Sequence, residues 1–134
     1  GVAMAAIETH LWTHLTGNTA LAALVSNRIY PDMLPQDVTY PAIRYAVIDR
    51  VEVAVKPTKT TVRHVRARVQ LDLYARTYSA AKQLEAALVA AVYAFDRTVN
   101  SAIVGSRVAD MRDSTDEESG IAAISIDASI TYNE

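Results

Sequence analysis

The chain contains no cysteine, so neither a disulfide nor thiolate chemistry contributes to it, and the redox compartment is left open. Glycine is scarce, and Gly17, Gly105 and Gly120 stand isolated, so no phosphate-cradling loop exists. Serine and threonine are plentiful, yet none sits in a strand-turn-helix elbow of the G-x-S-x-G kind that exposes a nucleophile. Long apolar runs are absent too. The longest, Ala86–Phe95, is about half of the roughly 20 residues that a spanning helix needs. Val2–Ile7 is apolar but has no basic region before it and gives way at once to Glu8 and His10, so it does not read as a signal peptide. Gly1–Ala3 read as a cloning remnant if Met4 is the true start. A formal net charge of −2 gives no global push toward nucleic acid or an anionic membrane. A soluble, intracellular protein is expected.

What is present describes a folded scaffold. With 51% apolar and 21% charged residues, the chain has enough greasy surface to fold and too little charge for disorder. Its 134 residues suit one domain, residues 1–134, with a real core. The clearest signal runs from Arg63 to Phe95. Val65, Ala67, Val69, Leu71, Leu73 and Ala75 alternate strictly with Arg66, Arg68, Gln70, Asp72, Tyr74 and Arg76. Period-two alternation gives a strand one greasy side and one solvated or partner-facing side. Leu84, Leu88, Ala91, Val92 and Phe95 then recur at helical spacing, enough to cover the greasy side.

Met4, Ile7, Leu11 and Leu15 make an N-terminal helical stripe, stopped by Gly17-Asn18. Thr19 can cap a second short helical turn over Ala20–Val25. Pro31, Pro35 and Pro41 exclude a regular helix from the segment that holds them. Ile43, Tyr45 and Val47 alternate with Arg44 and Ala46, and Val51, Val53 and Val55 with Glu52 and Ala54, so strand pattern is expected on both sides of residue 50. Lys56-Pro57-Thr58-Lys59 is a polar tip with no core-forming residue, and Val51–Thr61 is expected to protrude as a hairpin or arm. Thr77 or Ser79 can cap the central helix. A weaker strand is expected around Ser106–Asp113, an acidic loop over Ser114–Gly120, and a closing strand through Ile124, Ile126, Ala128, Ile130 and Tyr132. The order predicts an α+β two-layer sandwich: a mostly antiparallel, mixed sheet of four to five strands packed by an N-terminal helix and a long central helix.

Three constellations bear on chemistry. His10 and His14 are four apart on a helix, but Leu11 stands where a zinc-hydrolase motif needs its glutamate and no third ligand follows, so no metal site is expected. Asp110, Asp113, Asp116, Glu117 and Glu118 cluster in a hydrophilic run without calcium-loop spacing, and nothing there would push two carboxyl pKa values apart. The third is charge segregation. Basic residues dominate from Arg44 to Arg76, whereas from Asp110 onward only Arg112 opposes seven acidic side chains. Such runs are either solvated faces or complementary patches for self-assembly, because opposite potentials on one chain can meet head to tail. Nucleic-acid binding is the weaker reading, since Arg66 and Arg68 share a strand face with no aromatic platform beyond Tyr74. The interface candidates are Val53, Val55, Lys56, Lys59, Arg66, Arg68, Asp116, Glu117 and Glu118. No catalytic, cofactor-binding or metal-ligating residue is assigned.

An order of pieces carries a resemblance: an Ala/Leu-rich first helix, Arg28-Ile29-Tyr30-Pro31, Pro35-Gln36, Tyr40-Pro41-Ala42-Ile43-Arg44-Tyr45, Val69-Gln70-Leu71-Asp72-Leu73-Tyr74-Ala75, the helix opening Thr77-Tyr78-Ser79, and a late Met111-Arg112-Asp113. In that order they resemble the tail-completion family of tailed bacteriophages and prophages. The resemblance implies a tail terminator or head–tail joining protein of a long-tailed phage, prophage or gene-transfer particle, with no catalytic residue and no cofactor. It implies as partners other copies of itself in a ring, commonly a hexamer, then the tail tube protein and the head–tail connector or stopper. DNA would pass through the lumen without sequence-specific binding, and no membrane is involved. It implies a place in the tail or neck of the virion, reached from the host cytoplasm during assembly. The chain departs from the family pattern at Arg50–Arg63, which is apolar then basic where the family has a glycine-containing acidic stretch. The alternative is an oligomeric α+β module that binds a ligand or nucleic acid.

Overall fold

Strict alternation in the two longest strands forces the sheet to have one dry and one wet side, and the rest of the chain is arranged around that requirement. The structure, a computed structural model, describes residues 6–53, 64–114 and 119–133. Its elements are α1 (Ala6–Thr16), α2 (Thr19–Val25), β1 (Ile29–Pro31), β2 (Ala42–Glu52), β3 (His64–Ala75), α3 (Tyr78–Tyr93), β4 (Ile103–Asp113) and β5 (Ala122–Asn133). They form one five-stranded sheet in the order β1-β2-β3-β5-β4. The β2–β3, β3–β5 and β4–β5 pairs are antiparallel and β1 pairs parallel to β2, which makes the sheet mixed, as expected for this α+β class. The short β1 adds the fifth strand, with Ile29 paired to Ile43 and Pro31 to Tyr45.

Val65, Ala67, Val69, Leu71, Leu73 and Ala75 of β3 are all buried, as are Ala122, Ile124, Ile126, Ala128, Ile130 and Tyr132 of β5. They join Ile7, Leu11 and Leu15 of α1, Leu21 and Val25 of α2, and Leu84, Leu88, Ala91 and Val92 of α3 in one core. At about 1.5–3 kcal/mol for each fully buried large aliphatic, this core is the main favourable term holding the sandwich together.

Local chemistry sets where the helices begin. α3 starts where the Thr77 hydroxyl accepts from the Ala80 N–H at 3.1 Å, so of the two hydroxyls that could have capped it, Thr77 does. For α2 the cap is Asn18 and not Thr19: its side-chain oxygen accepts from the Leu21 N–H at 3.0 Å. Asn18 has the extended backbone an N-cap needs, whereas Thr19 already lies inside the first turn.

The two edge regions of the sheet break the alternation. In β2, Val47 pairs with Val69 and Asp49 with Arg68, so Ile48 is an inserted bulge residue. Everything after it changes face. Val51, which unbroken alternation would put in line with Ile43, Tyr45 and Val47, stands opposite Arg66 on the wet side and is 47% exposed. In β4 the skipped residues are Val104 and Ala109. Bulges twist an edge and interrupt its row of free hydrogen-bonding groups, which blunts edge-to-edge aggregation. Among the described residues, no helix is long and apolar enough to cross a membrane.

Candidate interaction surface

The side of the sheet turned away from the helices is paved with polar side chains. β2 contributes Arg44 and Asp49, β3 contributes Arg66, Arg68, Gln70 and Asp72, β5 contributes Ser125, Asp127, Ser129 and Thr131, and β4 contributes Arg107, Asp110 and Arg112. Strand register decides who meets whom. Asp72 stands between Arg44 on one neighbour and Ser125 on the other. Its carboxylate accepts from Arg44 Nε at 3.1 Å and Nη2 at 2.6 Å, from the Ser125 hydroxyl at 2.6 Å, and from the Gln70 amide at 3.1 Å. Four charge-assisted donors let a carboxylate sit 4% exposed without neutralising.

Asp127 is the second buried carboxylate, 3% exposed. Its Oδ2 accepts from Arg112 at 3.0 Å and from Arg68 at 3.4 Å, and Arg112 also donates to Asp110. The Arg112 guanidinium, with help from Arg68, holds the Asp127 carboxyl below the usual carboxylate range against the opposing effect of burial. Its Oδ1 has no partner among the described residues.

Hollows break this surface at both ends. At the Asp72 end a cavity of about 460 Å³ is lined by Tyr40, Tyr74, Ser114 and Ser125 around the carboxylate. Burial and the Asp72 charge push the Tyr74 hydroxyl above its ordinary pKa, and Arg76 lies over the Tyr40 ring at 5.5 Å. At the other end Arg66 and Arg107 share a shallow depression of about 310 Å³ with Gly105, Ser129 and Thr131.

Of the interface candidates, the structure brings Arg66 and Arg68 to the wet face and separates their roles. Arg68 is drawn to Asp127, whereas Arg66 makes no hydrogen bond or ion pair among the described residues. Val53 is half-buried, and its N–H donates to the His64 carbonyl at 2.8 Å, extending the β2–β3 ladder by one bond. Val55, Lys56 and Lys59, and with them most of the expected arm, lie outside the described residues, as do Asp116, Glu117 and Glu118. Sequence reasoning missed Arg107 and Arg112. The bulge at Ala109 places Arg107, Asp110 and Arg112 on one face, a pattern that period-two reading cannot yield. The excess of acid in this region was visible, but not that Arg112 answers two carboxylates at once.

His10 and His14 are structural. His14 donates from Nε2 to the Ala91 carbonyl at 2.7 Å and stacks on Phe95 at 4.6 Å, and His10 Nδ1 accepts from the Asn100 amide at 3.0 Å. Both rings therefore bind α1 to α3 and to the segment after it. Among the described residues, no three His, Asp or Glu side chains stand close enough together to hold a metal ion. What the wet face can do chemically is recognise charge.

Comparison with known families gives a match over residues 9–133 to the family described as Tail completion protein gp17. No curated protein matches. Among solved structures, a chain from "Virion of native gene transfer agent (GTA) particle" superposes with a TM-score of 0.77, covering 96% of this chain and 95% of that chain. Sequence identity is 16%, so the likeness is one of fold.

Proposed function

The chain belongs to the tail completion protein gp17 family, and from that premise we propose that it closes the end of a tail tube as a ring and joins the tail to the head connector. Membership makes it a structural protein of a phage-type tail, and a structural role needs surfaces and no reacting group. The observation that carries the finer reading is the sheet face that no described element covers. Charge on an exposed face can steer a partner and fix its register, and this one keeps its central carboxylates buried under their own arginines, while Arg66 and Arg107 toward one end have no ion pair among the described residues. A fold of the same extent serves as one chain of a gene transfer agent virion, which supports the same use here.

The ring is proposed as a hexamer of identical copies in heterologous contact, since a head-to-tail contact closes when its rotation divides the circle. Its partners are the last ring of tail tube protein on one side and the head–tail connector or stopper on the other. DNA passes through its lumen without sequence-specific contact. Assembly takes place in the host cytoplasm and the protein ends in the neck of the virion. Nothing in this role calls for catalysis.

The test is assembly. Purified protein is measured by light scattering and native mass spectrometry, alone and with tail tubes, and tube ends are imaged by electron microscopy. A ring seated on the tube end is the expected result. A strictly dimeric species at every concentration, with tubes present, would count decisively against the proposal.

A further inference from the structure

Five arginines project from the wet face of the sheet within β2–β5, and three of them are committed. Arg44 is held by Asp72, Arg68 by Asp127, and Arg112 by Asp110 and Asp127. Arg66 and Arg107 have neither an ion pair nor a hydrogen bond among the described residues, yet they line the same depression. Register explains how they come together. Arg66 stands opposite Thr131, and Thr131 opposite Gly105, which makes one row across β3, β5 and β4. In the next row Arg68 stands opposite Ser129, and Ser129 opposite Arg107. Arg66 and Arg107 therefore stand diagonally across Ser129 and Thr131, on strands about 10 Å apart. The remaining corner belongs to Gly105, which has no side chain to fill it. A Cβ added there would meet nothing within 4 Å.

We propose that this corner is a binding site for a phosphate group, held between the Arg66 and Arg107 guanidiniums over the Ser129 and Thr131 hydroxyls. The described carboxylates along the same strands, Asp110 and Asp127, are already answered by Arg112 and Arg68. Asp49, opposite Arg68 on β2, lines an adjoining hollow and forms no ion pair among the described residues. What the two free guanidiniums lack is an anion from outside the chain. The site goes beyond the assembly role and does not depend on a ring.

The number and direction of the donors select the anion. A guanidinium presents its N–H groups as a planar fork, and one fork suffices for the two oxygens of a carboxylate. Arg44 shows the economy of this on the same face, giving Asp72 both Nε and Nη2. A second fork from the opposite side, with two hydroxyls below, would find no further acceptor on such a planar group. A tetrahedral phosphate has oxygens pointing apart and meets them all. The depression, about 310 Å³ and open to solvent, has room for it. A nucleic-acid track would need an extended row of free cations with stacking rings between them. Two free arginines in a depression that no aromatic side chain lines serve a single phosphate. That phosphate is either free, as inorganic phosphate or a monoester, or one diester of a duplex backbone.

The test is titration of the full-length protein with inorganic phosphate at constant ionic strength, followed by calorimetry and by the amide resonances of Gly105, Ser129 and Thr131. Saturable binding that shifts these resonances is expected, with acetate about tenfold weaker or more. Arg66→Gln/Arg107→Gln should weaken phosphate binding by about tenfold or more. Gly105→Glu should do the same with both arginines in place, because it tethers a carboxylate in the open corner, whereas Gly105→Ala should bind as wild type. The Gly105 backbone is not left-handed, so it accepts either replacement. Arg97→Gln makes the same kind of charge loss on the exposed segment after α3 and should leave binding nearly unchanged. Unchanged thermal melting of each variant certifies folding. Absence of saturable binding overturns the proposal. So does acetate that binds as tightly as phosphate, Gly105→Glu that binds like wild type, or a loss in Arg97→Gln equal to that in the arginine pair. A short DNA duplex decides the source. Displacement of phosphate by the duplex, lost in Arg66→Gln/Arg107→Gln, assigns the site to a backbone diester, and a duplex that leaves phosphate bound assigns it to free phosphate or a monoester.

Discussion

Asp72 and Asp127 lie diagonally across the β3–β5 ladder, Asp72 opposite Ser125 and Asp127 opposite Gln70, and both are buried on the side of the sheet away from the helices. Gln70, beside both, donates its amide to Asp72. The two carboxylates are sealed by the arginine stems that answer them, so the charged network is also the packing of that face.

Removing the Asp72 carboxylate strips an acceptor from Arg44, Gln70 and Ser125 together. Asp72→Ala should cost about 1–3 kcal/mol, less than a fully buried pair because Arg44 is partly open to water. Arg68→Ala should stay close to wild type, since Arg112 still holds Asp127. Leu71→Asp should not fold, because its side chain lies in the dry core. Urea unfolding of the three variants checks this order. Equal midpoints for Asp72→Ala and Arg68→Ala would show that the Asp72 cluster adds no stability.

Asp127 sets an acid limit. Its pKa is lowered in the folded state, so its contribution is fully present above the unfolded carboxylate value near 3.9 and is lost as pH falls through the lower folded value. Asp127→Asn should therefore flatten the stability profile below about pH 4 relative to wild type. Denaturant midpoints between pH 2 and 6 give the comparison. Parallel profiles would place the acid sensitivity in other carboxylates.

Tyr45 sets an alkaline one. Burial, with the Glu8 and Asp32 charges, pushes its hydroxyl up to about 12, and that hydroxyl has no partner among the described residues. A raised folded pKa means that stability is intact below the unfolded value near 10 and falls as pH rises through the folded one. The loss should reach about 3 kcal/mol. Tyr45→Phe should abolish this component and be neutral or stabilising by about 1 kcal/mol at pH 7, because an unpaired buried hydroxyl is removed at little change in volume. A clear loss of stability at neutral pH would mean that the hydroxyl is satisfied after all.

The two caps offer a smaller and cleaner test. Asn18→Ala and Thr77→Ala should each cost about 1 kcal/mol, and Thr19→Ala and Ser79→Ala much less. The two cap losses should add, since they act on different helices. Thermal melts of the four single variants and the Asn18→Ala/Thr77→Ala pair decide it, and a larger effect at Thr19 would return the α2 cap to that residue.

The sequence by itself determined the sandwich. In β3 and β5 unbroken alternation assigns every side chain to a face, and the spacing of Leu84, Leu88, Ala91 and Val92 gives α3 the matching stripe, because the periods 2.0 and 3.6 are properties of the backbone. The charge imbalance between the middle and the end of the chain was equally legible, being a matter of counting. Tertiary structure alone decided which charges are free. One inserted residue at Ile48 turned Val51 to the wet side, and one at Ala109 lined up Arg107, Asp110 and Arg112. A bulge shifts the phase of a strand without leaving a mark in composition. Pairing across strands then spent Arg44, Arg68 and Arg112 on two buried carboxylates and left Arg66 beside Arg107, two residues that are 41 positions apart in sequence and neighbours only because β5 lies between their strands.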